Sequence, residues 1–221
     1  MEFLGDFAAS YGKEILTLTV EHVRLTVISV GAAILFSVPA GIVLTRTQKI
    51  AAPVLGFASV VQTIPSLALF GLVIPILMAF GLPIIGLVPA FFALFLYALL
   101  PILRNTYTGI RQVDPAILEA ATGIGMTDMQ ILRKVELPLT MSVIMAGIRT
   151  STVISVGIAT LAALIGAGGL GELIFRGLRT INYKLMLAGA VPAAILALLL
   201  DFILGRIEML LTPRGLKPGK D

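Results

Sequence analysis

Charged residues cut this chain into long apolar blocks. Positions 25–45 form an uncharged run of 21 residues between Arg24 and Arg46. Positions 50–103 are uncharged for 54 residues. Positions 137–148 are uncharged, Arg149 interrupts, and 150–171 continue the run. Positions 185–200 follow, before Asp201 and Arg206. A membrane-spanning helix needs about 20 apolar residues. Three helices and two turns would need roughly 65 residues at that length, so the central block divides better into two. These are 51–79 and 84–103, with Phe80, Gly81, Leu82 and Pro83 as the turn. Pro65, Pro75 and Pro89 then lie inside or at the start of spans, where neighbouring helices satisfy the freed backbone groups. The pattern predicts an all-α, polytopic bundle of about five spans.

Composition agrees with a membrane protein. The chain of 221 residues is 58% apolar and 13% charged, against about 25% charged in a soluble domain. Its mean hydropathy is +1.05. Disorder is excluded, because it needs low hydrophobicity and high charge. A disulfide or zinc scaffold is excluded by the absence of cysteine and by a single histidine, His22. His22 lies before the expected first span, so no metal site and no catalytic residue is expected.

The net charge of +4 fits Lys and Arg gathered on cytoplasmic segments better than nucleic-acid binding. Glu2, Asp6, Lys13 and Glu14 precede the first long apolar run, unlike a basic secretory leader, so the N-terminus is expected to be retained. Five spans with the N-terminus outside place ten Lys and Arg inside and five outside. A six-span arrangement gives the same split, so length rather than charge favours five. Both put 104–136 and the C-terminus in the cytoplasm. The expected organisation is one transmembrane domain over 1–221, with an extracytoplasmic segment 1–20 and a basic cytoplasmic tail 212–221.

The segment 104–136 carries the most local information. Asp114 before Pro115 signals a helix start, an N-cap followed by proline at the first helical position. A short helix over 115–122 ends at Gly123 and Gly125. Thr127 with Gln130 forms a capping box for a second short helix, and Pro138 marks the start of the next span. Ile117, Ala120, Ala121 and Ile124 can share one face. Such an apolar knob with one acid, Glu119, suits a groove on another protein; the alternative is a helix resting on lipid headgroups.

Glu119, Ala120 and Ala121, then Gly125, then Val135, Glu136, Leu137 and Pro138 resemble the cytoplasmic signature of ATP-binding-cassette (ABC) importer permeases. Only Val135 departs from it, a conservative change for isoleucine. The five-span layout resembles the type I permease core. The resemblance implies that Asp114, Glu119, Ala120, Ala121, Gly125, Leu137 and Pro138 belong to a coupling region that docks on an ATPase subunit. The stretches SVVQTIPSLALFGL and AGIRTSTVISVGIATLAALIGAGGLGELIFRGL are similar to permeases for osmoprotectants and quaternary amines such as glycine betaine, choline and carnitine. The resemblance covers roughly 20–210.

Gly166, Gly168 and Gly171 formally fit G-x-G-x-x-G. A dinucleotide site would need an acid about 20 residues on, where Val191 stands inside an apolar span. The stretch reads better as a flexible turn at the outer end of the fourth span, with Gly168 and Gly169 either in an outer gate or in a plain glycine turn. Arg149 falls roughly 17 Å into the fourth span at helical rise. An unpaired charge there costs at least about 2.5 kcal/mol. Asp201, read as the only acid inside a span, is its natural partner. The pair is either structural or on the translocation route. Gln62, Pro65 and Ser66 form either a polar kink lining the pathway or a simple satisfied kink. No aromatic cage is visible, and only Tyr97 among the tyrosines lies well inside a span.

These readings together predict a multi-pass permease subunit of a type I ABC importer in the bacterial plasma membrane. Expected partners are ABC ATPase subunits, a separate extracytoplasmic binding protein, a second permease chain and the lipid bilayer. No cofactor is expected in this chain. ATP and Mg²⁺ would sit on the ATPase, since no G-x-x-x-x-G-K-[ST] loop occurs. The alternatives are a permease for an amino acid or other small solute, an ATP-independent secondary transporter, and a non-transporting scaffold.

Overall fold

The computed structural model describes residues 2–213, with side chains from Tyr11 onward. Arg214, Lys217 and Lys220 of the expected basic tail lie outside the described residues. Among the described residues all regular structure is helical: α1 (Glu2–Arg46), α2 (Gln48–Thr63), α3 (Ser66–Ala79), α4 (Leu87–Arg111), α5 (Pro115–Gly123), α6 (Asp128–Ile131), α7 (Leu137–Ala159), α8 (Gly171–Arg179) and α9 (Tyr183–Leu211).

The first span is longer than the uncharged run suggests. The sequence pattern places its start at Leu25, with 1–20 as a separate segment and His22 outside the membrane helix. In the structure 2–20 continue the same helix, and His22 is buried within it. Leu18, His22 and Leu25 are all buried, at three- and four-residue spacing. Tyr11, Ile15 and Leu18 pack on Leu170, Leu173 and Leu185, so Lys13 and Glu14 ride on a helix whose other face is anchored.

The expected second span over 51–79 is broken. α2 and α3 meet at 112°. The cause is Ile64–Pro65. Ile64 is extended (φ −70°, ψ 126°), as a residue before proline prefers, and Pro65 continues at φ −53°, ψ 135°. The freed Ile64 carbonyl accepts the Tyr97 hydroxyl from α4.

α4 is the central helix, packed between α1 and α7 and reached on its flank by α2 and α3. Leu94, Ala90, Ala93, Ile102 and Leu103 on it are fully buried or nearly so. Gly147 lets α7 close on α4, since a Cβ there would lie 2.8 Å from the Pro101 carbonyl oxygen.

Two contacts fix the number of crossings. Arg46, at the end of α1, pairs with Glu136 at the start of α7. Gly86, before α4, donates its N–H to Ile165 beyond the end of α7 at 2.8 Å. Arg46 and Gly86 therefore lie at opposite ends of the bundle. The bent pair α2–α3 carries the chain from one end to the other, although neither helix alone is long enough to span. With α1, α4, α7 and α9, this makes five crossings. Arg46, Lys49, Arg111, Arg133 and Lys134 lie toward one end and Lys13, Arg24, Arg176, Arg179 and Lys184 toward the other; the sequence expectation puts the first end in the cytoplasm.

Candidate functional site

The segment between α4 and α7 folds as two short helices capped by their own side chains. Asp114 Oδ1 accepts the Ala116 N–H at 2.8 Å, and Pro115 opens α5. α5 closes through Gly125, whose φ of +82° is left-handed; its N–H donates to the Thr122 carbonyl at 2.9 Å. The capping box of α6 is complete. Thr127 N–H donates to Gln130 Oε1 at 2.9 Å, and Gln130 N–H to Thr127 Oγ1 at 3.4 Å.

The exposed face of this knob is narrower than the pattern suggests. Ile117, Ala120 and Ile124 face outward with Glu119, and Ile124 is 79% exposed. Ala121 turns inward and is buried, a correction to the four-residue face expected from spacing. In a nine-residue helix, 120 and 121 lie about 100° apart, and packing against the bundle takes one of them. Ile131 is also buried, whereas Met129 is exposed.

Pro138 stands in the first turn of α7, where the sequence places the start of the span, but the helical run reaches further back. α6, a π-helical turn (Leu132–Glu136) and α7 run in line from Asp128 to Ala159. Leu137 N–H donates to the Leu132 carbonyl, five residues back. That wide turn sits just before Pro138, which lies in the first turn of α7 and has no N–H to give. Leu137 and Pro138 are half-buried. Glu136 is buried, its side chain 2% exposed, and it takes the Arg46 guanidinium as its partner. This pair holds the segment between α4 and α7 to α1. Sequence reasoning missed it because 90 residues separate the partners.

Arg149 is held by two acids. Its Nε donates to Asp201 Oδ1 at 2.9 Å, and its Nη2 to Asp201 Oδ2 at 3.0 Å. Nη1 donates to Glu208 Oε2 at 2.9 Å. Asp201 is therefore not the only acid inside a span. α9 runs to Leu211 and carries Glu208 two turns further on, aligned with Asp201. Two acids thus balance the guanidinium charge, although a third of the side chain stays exposed. Arg149, Thr150, Val153 and Asp201 border a cleft of about 360 Å³.

At the opposite end the glycine turn is clamped to α1. Gly168 and Gly169 have φ of +79° and +84°. Gly169 N–H donates to Glu21 at 3.0 Å, and a Cβ on Gly168 would collide with the same carboxylate. His22 Nε2 donates to the Val156 carbonyl at 3.0 Å, and Arg176 on α8 pairs with Glu14 at 2.8 Å. A flexible turn was the sequence expectation; the turn is packed, because positive φ at successive glycines lets its backbone press against α1. In the kink, Gln62 Nε2 lies 3.5 Å from the Tyr97 carbonyl oxygen, while Pro65 is exposed and Ser66 half-buried. The kink and the Arg149 cluster remain separate features.

Residues 33–214 match the family described as binding-protein-dependent transport system inner membrane component. The chain belongs to that family. This family membership makes it a multi-pass membrane permease subunit of an ABC importer, working with an ATPase and a binding protein, and not itself an enzyme. The permease is 48% identical to the choline transport system permease protein OpuBB of Bacillus subtilis, over 100% of this chain and 99% of that protein. It is 46% identical to the osmoprotectant import permease protein OsmW of Salmonella typhimurium, over 91% and 93% of the two chains. Its fold superimposes on the inward-facing MetNI methionine ABC transporter with a TM-score of 0.80 at 26% identity, covering 90% of this permease and 97% of that chain.

Proposed function

We propose that this permease forms the translocation pathway for an osmoprotectant or other quaternary amine, of the glycine betaine, choline or carnitine type, delivered by a separate extracytoplasmic binding protein. The observation that carries this reading is the end-to-end 48% identity with a choline permease, alongside 47% identity over 100% of this chain with a glycine betaine/carnitine/choline permease. The working unit is a dimer, with itself or with a second, similar permease. Two ATPase subunits dock on the knobs formed by Asp114, Glu119, Ala120, Ala121 and Gly125, with Leu137 and Pro138 leading into the span. ATP and Mg²⁺ belong to those subunits, and no cofactor is assigned to this chain.

The exposed line of Ile117, Ala120 and Ile124 beside Glu119 supports the docking role, because it offers apolar contact with one charge for register. The Arg46–Glu136 pair then makes α1 move with the knob. ATPase closure is transmitted through 114–127 to α7 and, through Arg149, to α9. The assignment of Gln62, Pro65 and Ser66 to the pathway and of Gly168 and Gly169 to the outer gate rests on their position at breaks in the spans. Arg149 and Asp201 act as the strut that joins α7 to α9 beside the pathway.

Co-purification tests the reading. The permease, extracted in detergent with its neighbouring gene products, should bring down an ATPase and a binding protein whose ligand is a quaternary amine. A binding protein selective for an amino acid would replace the substrate class and leave the importer reading standing. A monodisperse permease without an ATPase would overturn both.

A further inference from the structure

Arg24 makes no hydrogen bond or ion pair among the described residues, although it lies on a membrane-spanning helix and is exposed. It is 22 positions from Arg46 on the same helix, about 33 Å at helical rise, or one hydrocarbon thickness of about 30 Å. With Arg46 at the cytoplasmic interface, Arg24 stands at the outer one. Beneath it α1 and α4 leave a cleft of about 330 Å³, bordered by Arg24, Leu25, Ile28, Leu87, Val88, Phe91 and Phe92. Every residue of that border except Arg24 is apolar, and no carboxylate lines it. Phe91 and Phe92 meet edge to face with centroids 5.2 Å apart, giving the groove a stiff aromatic wall.

The charge pattern at the mouth selects the occupant. Arg24 is an unmatched cation, and the N-terminus of α4 opens at Leu87 and Val88 with no side-chain cap. Both favour an anion. Glu21, one turn away on α1, already accepts from Gly169 and faces the glycine turn. A zwitterionic headgroup therefore finds a partner for its phosphate but none for its ammonium. A free phosphate would leave the apolar groove uncovered.

We infer that this cleft is a binding site for an anionic phospholipid of the outer leaflet, its phosphate on Arg24 and one acyl chain along Ile28, Phe91 and Phe92. The site lies at the outer ends of α1 and α4, away from the docking knob and the Arg149 cluster. Its occupant fills the groove between these helices.

The test uses the assembled transporter in nanodiscs carrying a trace of phosphatidylglycerol with a diazirine on one acyl chain, or the matching phosphatidylcholine probe. After photolysis, labelling is mapped by peptide. The phosphatidylglycerol probe should label the peptide containing Phe91 and Phe92 several-fold more than the phosphatidylcholine probe. Arg24→Gln should bring it down to the phosphatidylcholine level, while labelling at the exposed Leu198, Leu199 and Phe202 of α9 stays constant. Ile28→Trp, which fills the groove without touching the charge, should also lower it, and keeps the test standing if Arg24→Gln does not assemble. Equal labelling by the two lipids, or no response to either variant, would overturn the inference. Competition by millimolar glycerol phosphate would also overturn it, by showing a headgroup-only anion site.

Discussion

Arg149 on α7 and Asp201 on α9 face each other as two parallel forks, with both hydrogen bonds between 2.9 and 3.0 Å. This bidentate geometry is the strongest form of arginine–carboxylate pairing. It ties together two helices that otherwise meet mainly through apolar side chains. Both side chains keep about a third of their surface exposed, 34% and 39%, so solvent screening reduces what the pair contributes.

Asp201→Asn should therefore lower stability by about 1–2 kcal/mol, since Glu208 still holds one edge of the guanidinium. Arg149→Met alone should cost more, because it strips Glu208 of its partner as well, and adding Asp201→Asn to it should cost little further. Thermal unfolding of the four corners of this double-mutant cycle in detergent reads the coupling directly. Additive losses would show that the two side chains act independently.

The Arg46–Glu136 pair is asymmetric, half-exposed on the arginine and buried on the acid. Arg46→Ala should cost about 3 kcal/mol, because it leaves a buried carboxylate without a partner. Glu136→Gln should cost less, since the freed arginine reaches water. The order of the two unfolding midpoints checks this. The reverse order would mean that the Glu136 carboxylate is compensated without Arg46.

At the knob proposed to dock on the ATPase, fold and function should separate. Glu119 is exposed, so Glu119→Lys should change stability by no more than about 0.5 kcal/mol while weakening co-purification with the ATPase. Gly125→Val has open space for its side chain but must hold φ near +82°, at a cost of about 1–2 kcal/mol. It should uncouple ATP hydrolysis from uptake. Normal ATPase recovery with Glu119→Lys and unchanged transport with Gly125→Val would together remove the docking role.

The carbonyl freed at the Ile64–Pro65 kink is satisfied by one hydroxyl, that of Tyr97. Tyr97→Phe leaves the Ile64 carbonyl unpaired in a half-buried position and should cost about 1–3 kcal/mol. Differential scanning measures the loss. A neutral substitution would show that the bend is set by Pro65 alone.

What could be read from the amino-acid order was the chemistry that acts over a few residues. Asp114–Pro115 and Thr127 with Gln130 announce caps, and both caps form as hydrogen bonds. Long uncharged runs announce spans, even 185–200, which falls short of about 20 residues, and five crossings result. What escaped were consequences of assembly. Glu136 looks like a charge at the end of a cytoplasmic segment until Arg46 arrives from 90 residues away. Glu208 looks like part of a polar exit from the last span until α9 stacks it on Arg149. Pro65 signals a break, but not its size of 112° or that Tyr97 of α4 would take up the freed Ile64 carbonyl. His22 sits among charged neighbours, and only the packing of α1 on α7 makes it a buried residue bonded to Val156.

The most direct test of the central claim is uptake by proteoliposomes containing this permease with its ATPase and binding protein. Radiolabelled choline, glycine betaine and carnitine would be supplied on the binding-protein side, with ATP enclosed. At least one of these amines should accumulate, in a manner that requires both ATP and the binding protein and that stops with Gly125→Val. Uptake by the permease alone without ATP, or ATP-driven uptake of an amino acid with none of the amines, would contradict it.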